Sequence, residues 1–154
     1  MNVKILILGF FCIFLIQELI SKDSVFKQHL EYFEEVKFNE YGITYILYKS
    51  KWVAVNKRQK ILYEVFNYDN SPDEFREGLH RFLENGKMGF ANQKGQKVIP
   101  AQFDFVFPFE NGKAKFCNEC VPEKKGDMNF YNPKKGKWGE VDKQGKIKYI
   151  SNLK

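Results

Sequence analysis

Cys117 and Cys120, three positions apart, are the residues whose spacing points most directly to chemistry. A CxxC pair supplies half of a zinc site, a redox dithiol or a disulfide. Zinc needs two further ligands, and the two histidines, His29 and His80, lie far away in sequence without paired spacing. A redox dithiol opens a helix beside a βαβ unit, whereas here Phe116 precedes the pair on a strand and Val121-Pro122 follows it. A structural disulfide and two free thiols remain. Cys12 sits in an N-terminal apolar segment, and its removal with that segment leaves an even cysteine count in an oxidising compartment, which favours the disulfide.

The other candidates are weaker. Asp104 and Glu110 make a carboxylate pair on paper, the sort a hydrolase would use, yet there is no serine in a nucleophile elbow, no HExxH and no phosphate loop. Glu31, Glu34 and Glu35 read as a solvated face, as does the single His29 nearby. Trp52 and Trp138 among lysines could stack on sugars or bases, but a residue recurring at one repeat position fills one core slot. No catalytic, metal or cofactor site is assigned, and nucleic acid is not an expected partner.

The elements around these residues are β-strands. Asn85-Gly86 joins the β-forming runs 79–83 and 88–91 as a two-residue hairpin turn. A second turn at 93–95 places Gly95 in the left-handed position, and 97–99 leads as a third strand into Pro100. Beyond it Phe103, Phe105, Phe107 and Phe109 alternate, which puts all four rings on one side of an extended segment. Phe and Tyr together number 24, which favours β structure over a helical bundle.

The stretch GKMGFANQKGQKVIPAQFDFVFPFENG, residues 86–112, resembles the WG (KWG) repeat of bacterial proteins. That pattern has Lys-Trp-Gly-Tyr, an acidic or amide residue, Lys-x-Gly-Lys, Val-Ile-Pro, an aromatic-Asp pair and a Phe-x-x-Gly opening the next unit. Met88 takes the tryptophan position here. The pattern recurs around Lys51-Trp52, 36 positions earlier, with Val53 for glycine and Gln59 for the turn glycine. It recurs again at Lys137-Trp138-Gly139, 50 positions later, after about 14 extra residues. Those extra residues predict a long hairpin in which 112–117 pairs with 128–132, and the last strand predicts an open edge blunted by Lys146, Lys148 and Lys154. The resemblance implies repeats over about 42–77, 78–111 and 112–150, with Trp52, Met88, Trp138, Phe75, Phe103 and Phe109 as repeat core.

Residues 1–21 set Lys4 before an apolar run at 5–16 and end at Ser21. They read as a secretory signal peptide, with an uncleaved inner-membrane anchor as the alternative. Residues 22–154 then form a single domain. Asp23 or Ser24 can cap a helix over about 24–37, with Phe26, Leu30, Phe33 and Val36 along one face. The formal net charge of +6 lies in the last third, where 111–154 holds 11 basic and 5 acidic residues.

The expected fold is all-β: one N-terminal helix, then three hairpin repeats stacked as a short curved solenoid-like sheet or a partial propeller. The expected function is an exported, non-catalytic binding module for a protein or cell-envelope partner, periplasmic or extracellular, touching the membrane only through its N-terminal segment. Two alternatives stand beside it. One is a periplasmic immunity protein neutralising a toxin, and the other a hydrolase with an unrecognised carboxylate site.

Overall fold

A computed structural model describes residues 24–125, 128–132 and 134–150. The signal peptide or anchor expected at 1–21 lies outside the described residues. Among the described residues no helix is long and apolar enough to cross a membrane.

The chain is mostly antiparallel β, and its repeats are visible as geometry. Unit one comprises β1 (Ile43–Tyr48), β2 (Lys51–Asn56) and β3 (Ile61–Val65), followed by a small hairpin of β4 (Asn67–Tyr68) and β5 (Ser71–Pro72). Unit two comprises β6 (Leu79–Glu84), β7 (Lys87–Asn92), β8 (Lys97–Phe103) and β9 (Phe105–Val106). Unit three comprises β10 (Lys113–Asn118), an inserted hairpin of β11 (Glu123–Lys125) and β12 (Met128–Phe130), then β13 (Lys137–Asp142) and β14 (Ile147–Tyr149). Units one and two share a six-stranded sheet ordered β1-β2-β3-β6-β7-β8, and β9 of unit two joins the strands of unit three in a second sheet ordered β14-β13-β10-β9.

The sequence dictates the shared hairpin locally. Lys49 and Ser50, like Asn85 and Gly86, both take positive φ, the conformation of a two-residue hairpin turn. The second turn of each unit is built on an Asx side chain. Asn56 Oδ1 accepts the N–H groups of Arg58 and Lys60, Asn92 Oδ1 those of Lys94 and Gln96, and Asp142 Oδ1 those of Gln144 and Lys146. This is why the pattern wants an acidic or amide residue there. Gln59 holds φ 60° where the other units have Gly95 and Gly145. Asn39 builds the same loop ahead of β1, its Oδ1 accepting from Tyr41 and Ile43.

The glycine after the tryptophan slot lies between a ring on one neighbouring strand and the backbone of the return strand, Ile99 O at Gly89 and Lys148 O at Gly139. Gly89 lies opposite Phe82 and Gly139 opposite Phe116, and a Cβ at either would sit 2.7 Å or 2.5 Å from that ring. Unit one places Ile46 opposite Val53. The smaller Ile46 leaves room for the side chain that glycine forgoes elsewhere, so the departure at Val53 is a trade of volume across one pair.

Three expectations are corrected. The helix is a single turn, α1 (Lys27–Leu30), not a run over 24–37. Its residues serve the sheet edge: Leu47 N–H donates to His29 Nδ1 at 3.1 Å, and Lys49 N–H donates to Gln28 Oε1. His29 is therefore buried, 6% exposed, and not a solvated surface group, while Leu30 on the expected apolar stripe is 50% exposed. Val25, Phe26 and Val36 cover Ile46, Val53 and Val55, and Phe33 stacks on His29, so the segment covers the sheet edge without helical continuity. The insertion does not pair with β10. Instead β10 pairs with β13 in the register of the other units, Cys117 opposite Trp138, and β11 pairs with β12 apart from it.

The four alternating phenylalanines also part company. The chain changes sheets at Asp104, so Phe103 pairs with Met88 in the first sheet and Phe105 with Cys117 in the second. Asp104 fixes the crossing: it pairs with Lys87, accepts the Glu119 N–H at 2.5 Å and donates its own N–H to Asn118 Oδ1. Phe103, Val106 and Phe109 are buried, and Phe107 is 43% exposed.

Candidate functional site

The two places where one unit hands its chain to the next are equivalent in register and differ in what fills them. At the first junction Val65 lies opposite Phe82 and the Phe66 N–H donates to the Arg81 carbonyl at 3.1 Å. At the second, Val106 lies opposite Phe116 and the Phe107 N–H donates to the Lys115 carbonyl at 2.8 Å. Phe66 thus matches Phe107, and Arg81 matches Lys115. Both junctions end in the same bridge, Arg76 to Leu79 and Glu110 to Lys113.

The first junction is closed by the chain itself. Nine residues, 67–75, separate Phe66 from Arg76, and this loop lays Asp73 over the strand. The Arg81 guanidinium sits 4.3 Å above the Phe66 ring and binds Asp73 in a fork, Nη2 to Oδ1 at 2.5 Å and Nε to Oδ2 at 3.0 Å. Asp73 Oδ2 also accepts the Arg81 backbone N–H at 2.8 Å, and Arg81 Nη1 donates to the Val106 carbonyl at 3.2 Å. Both side chains are 4% exposed, and this full set of partners is what makes so buried a pair tenable.

The second junction stays open. Only residues 108 and 109 separate Phe107 from Glu110, too short a link to lay anything across the strand. In its place is a cleft of 870 Å³ lined by Arg76, Phe107, Pro108, Lys113, Lys115 and Glu140, among others. A smaller cleft of 270 Å³ adjoins it, sharing Arg76, Phe107 and Pro108 and reaching Tyr68 and Arg81. An aromatic ladder runs through Phe107: Tyr131 stacks on Phe105 at 4.1 Å, Phe105 meets Phe107 edge-on at 4.9 Å, and Phe107 faces Trp138 at 6.5 Å. Lys115 Nζ lies 4.9 Å over Trp138, and its cross-strand neighbour Glu140 pairs instead with Lys113 at 3.0 Å. Among the described residues no carboxylate forms an ion pair with Lys115.

The residues singled out from sequence fall around this cleft or in the core. Cys117 and Cys120 are joined by a disulfide and pack with Trp138, Phe105 and Tyr131 at the base of the ladder. Trp52, Met88, Trp138, Phe103 and Phe109 are buried; Phe75 is half-buried, stacked on His80 at 4.2 Å. The two tryptophans each donate Nε1–H to a backbone carbonyl, Trp52 to Asn70 and Trp138 to Lys135. Asp104 and Glu110 are not brought together as a working pair. Burial acts to raise the Asp104 carboxyl, but Lys87 and two backbone N–H groups hold it below its ordinary value, while Glu110 sits at the turn into β10. Among the described residues no group of three or more His, Cys, Asp or Glu is arranged to hold a metal ion.

His80 carries no sequence signal of its own and is 1% exposed. Its Nε2 hydrogen-bonds the Tyr63 hydroxyl at 3.0 Å, and burial lowers its pKa to about 4, so the ring is neutral near pH 7. Burial likewise raises Tyr45, to about 12, and Tyr63. His80 Nδ1 and the Tyr45 hydroxyl are buried without a hydrogen-bond partner among the described residues, and the Tyr45 ring meets His80 edge-on at 5.2 Å.

Phe107 and Lys115 were missed by sequence reasoning, as was the Asp73–Arg81 pair. One signal was there: Gly-x-x-cation-Phe occurs twice, at 78–82 and 112–116. Tandem hairpins of one pattern, each passing its return strand to the next, define a β-repeat protein. Residues 88–119, from within β7 through β10 and including the second junction, match the model of a family described as WG containing repeat. No curated protein and no solved structure matches the chain.

Proposed function

We propose that this protein is an exported, non-catalytic interaction module that holds a protein or cell-envelope partner in the open second junction. The observation that carries this reading is Phe107, 43% exposed and lining an 870 Å³ cleft, at a position whose counterpart Phe66 lies beneath the Arg81 guanidinium. Exposed aromatic surface in a concave, polar-rimmed site is typical of recognition surfaces. Export rests on Lys4 followed by the apolar run at 5–16, and the disulfide suits an oxidising compartment. The units form a curved, solenoid-like succession presenting the cleft on one side, with a partial propeller as the competing shape.

The test is recovery of tagged protein from the envelope fraction, followed by capture with the parent and with Phe107→Ser. A partner held by the parent and released by the substitution supports the reading. Retention in the cytoplasm, or no protein recovered above the Phe107→Ser control, overturns it.

A further inference from the structure

The first junction shows what belongs in the second. We infer that the open cleft binds a carboxylate side chain, Asp or Glu, of an extended partner segment, seated where Asp73 sits at the first junction. This deepens the interaction-module reading and rests on it. Register makes the two junctions superposable by residue: Phe66 with Phe107, Arg81 with Lys115, Arg76 with Glu110. The loop that supplies Asp73 has no counterpart, since two residues stand where nine stand in the first junction.

The kinds of group that hold Asp73 recur beside the cleft, with a single lysine ammonium, lying over Trp138, at the position of the arginine fork. A phenyl ring lines the cleft, Phe107 in place of Phe66. A cation stands at the Arg81 position, and Lys115 is exposed where Arg81 is buried. The Lys115 backbone N–H faces the same side of its strand as the Arg81 N–H that Asp73 Oδ2 accepts, because both residues pair outward with the preceding aromatic. The acidic groups already in the cleft do not fill the place: Glu140 is engaged by Lys113, and Glu110, which also lines the cleft, forms no ion pair with Lys115 among the described residues. An incoming carboxylate therefore meets an ammonium and a backbone donor, with its flanking residues against Phe107 and Pro108. A single exposed carboxylate-to-lysine contact is weak by itself, and neighbouring contacts of a whole partner tighten it.

The probe is the protein's own closing segment, an acetylated peptide of residues 66–76, titrated into the ¹⁵N-labelled protein and followed by amide chemical shifts. Saturable shifts centred on Phe107, Lys113 and Lys115 are expected. The same peptide with Asp73→Asn, or the protein with Lys115→Gln, should bind about tenfold more weakly. Lys115→Arg, which recreates the fork of the first junction, should bind several-fold more tightly. Both Lys115 changes are on an exposed side chain, so folding is not at issue. No shifts at the cleft, equal binding of the Asn peptide, or indifference to Lys115 overturns the carboxylate site. Any of these leaves the Phe107-dependent capture of a partner standing, so the two failures are told apart.

Discussion

Replacing Gly139 with alanine tests the trade of volume that distinguishes the repeats. A Cβ there would sit 2.5 Å from Phe116 Cζ and 2.8 Å from the Lys148 carbonyl oxygen, both well inside contact distance. Overpacking of this kind costs about 2 to 3 kcal/mol. Phe116 is fully buried, and Phe116→Ile leaves a void that costs about 2 kcal/mol. Together the two changes approach the pair that unit one already uses, Ile46 opposite Val53, in which the ring clash is gone. The Lys148 carbonyl still crowds the new methyl, so recovery is partial. The double variant should lose about 2 to 3 kcal/mol in place of the additive 4 to 5, a coupling of about 2 kcal/mol. Urea denaturation of the four proteins, followed by tryptophan fluorescence, measures it. Additivity within about 0.5 kcal/mol would show that the return strand, and not the ring, demands glycine.

Three further outcomes are expected. His80 has a folded pKa lowered to about 4, so its stabilising contribution is intact above the unfolded value near 6.5 and is lost as pH falls from there toward 4, about 3 kcal/mol in all. His80→Phe should flatten the decline in melting temperature between pH 6.5 and 4, and an unchanged slope would refute the assignment. Trp138→Ala should cost about 3 to 5 kcal/mol, whereas Trp138→Met, the residue unit two already carries at Met88, should cost about 1 to 2. Equal losses in the melts would deny a shared slot. Reducing the Cys117–Cys120 disulfide, which closes a loop of four residues, should lower the melting temperature by less than about 10 °C, and a larger drop would mean that it holds the ladder in place.

Local chemistry was the legible part. The turn at Asn85-Gly86 and the Asx loops at Asn56, Asn92 and Asp142 are fixed by a few neighbouring side chains, so periodicity and turn residues located them. The helix expected over 24–37 failed because its stripe of Phe26, Leu30, Phe33 and Val36 fits a helix and a meandering cover equally well. What decides is that Gln28 and His29 satisfy the β1 edge, a contact spanning 18 residues or more. The alternating phenylalanines failed for a similar reason, since the crossing at Asp104 depends on Lys87 and Asn118, distant in sequence. The cleft was illegible because it exists by difference. Nothing in Phe107 or Lys115 alone marks a site until strand register sets them against Phe66, Arg81 and the loop that carries Asp73.

Whether the second junction holds a partner is tested most directly by placing a photo-crosslinking amino acid, p-benzoylphenylalanine, at Phe107 in the living cell. Val98, 42% exposed on β8 and outside the cleft, serves as the control position. The expected result is a discrete crosslinked partner from position 107, diminished by Lys115→Gln and missing from position 98, with its attachment site mapping beside an Asp or Glu. No adduct at position 107, or the same adducts from both positions, would contradict it.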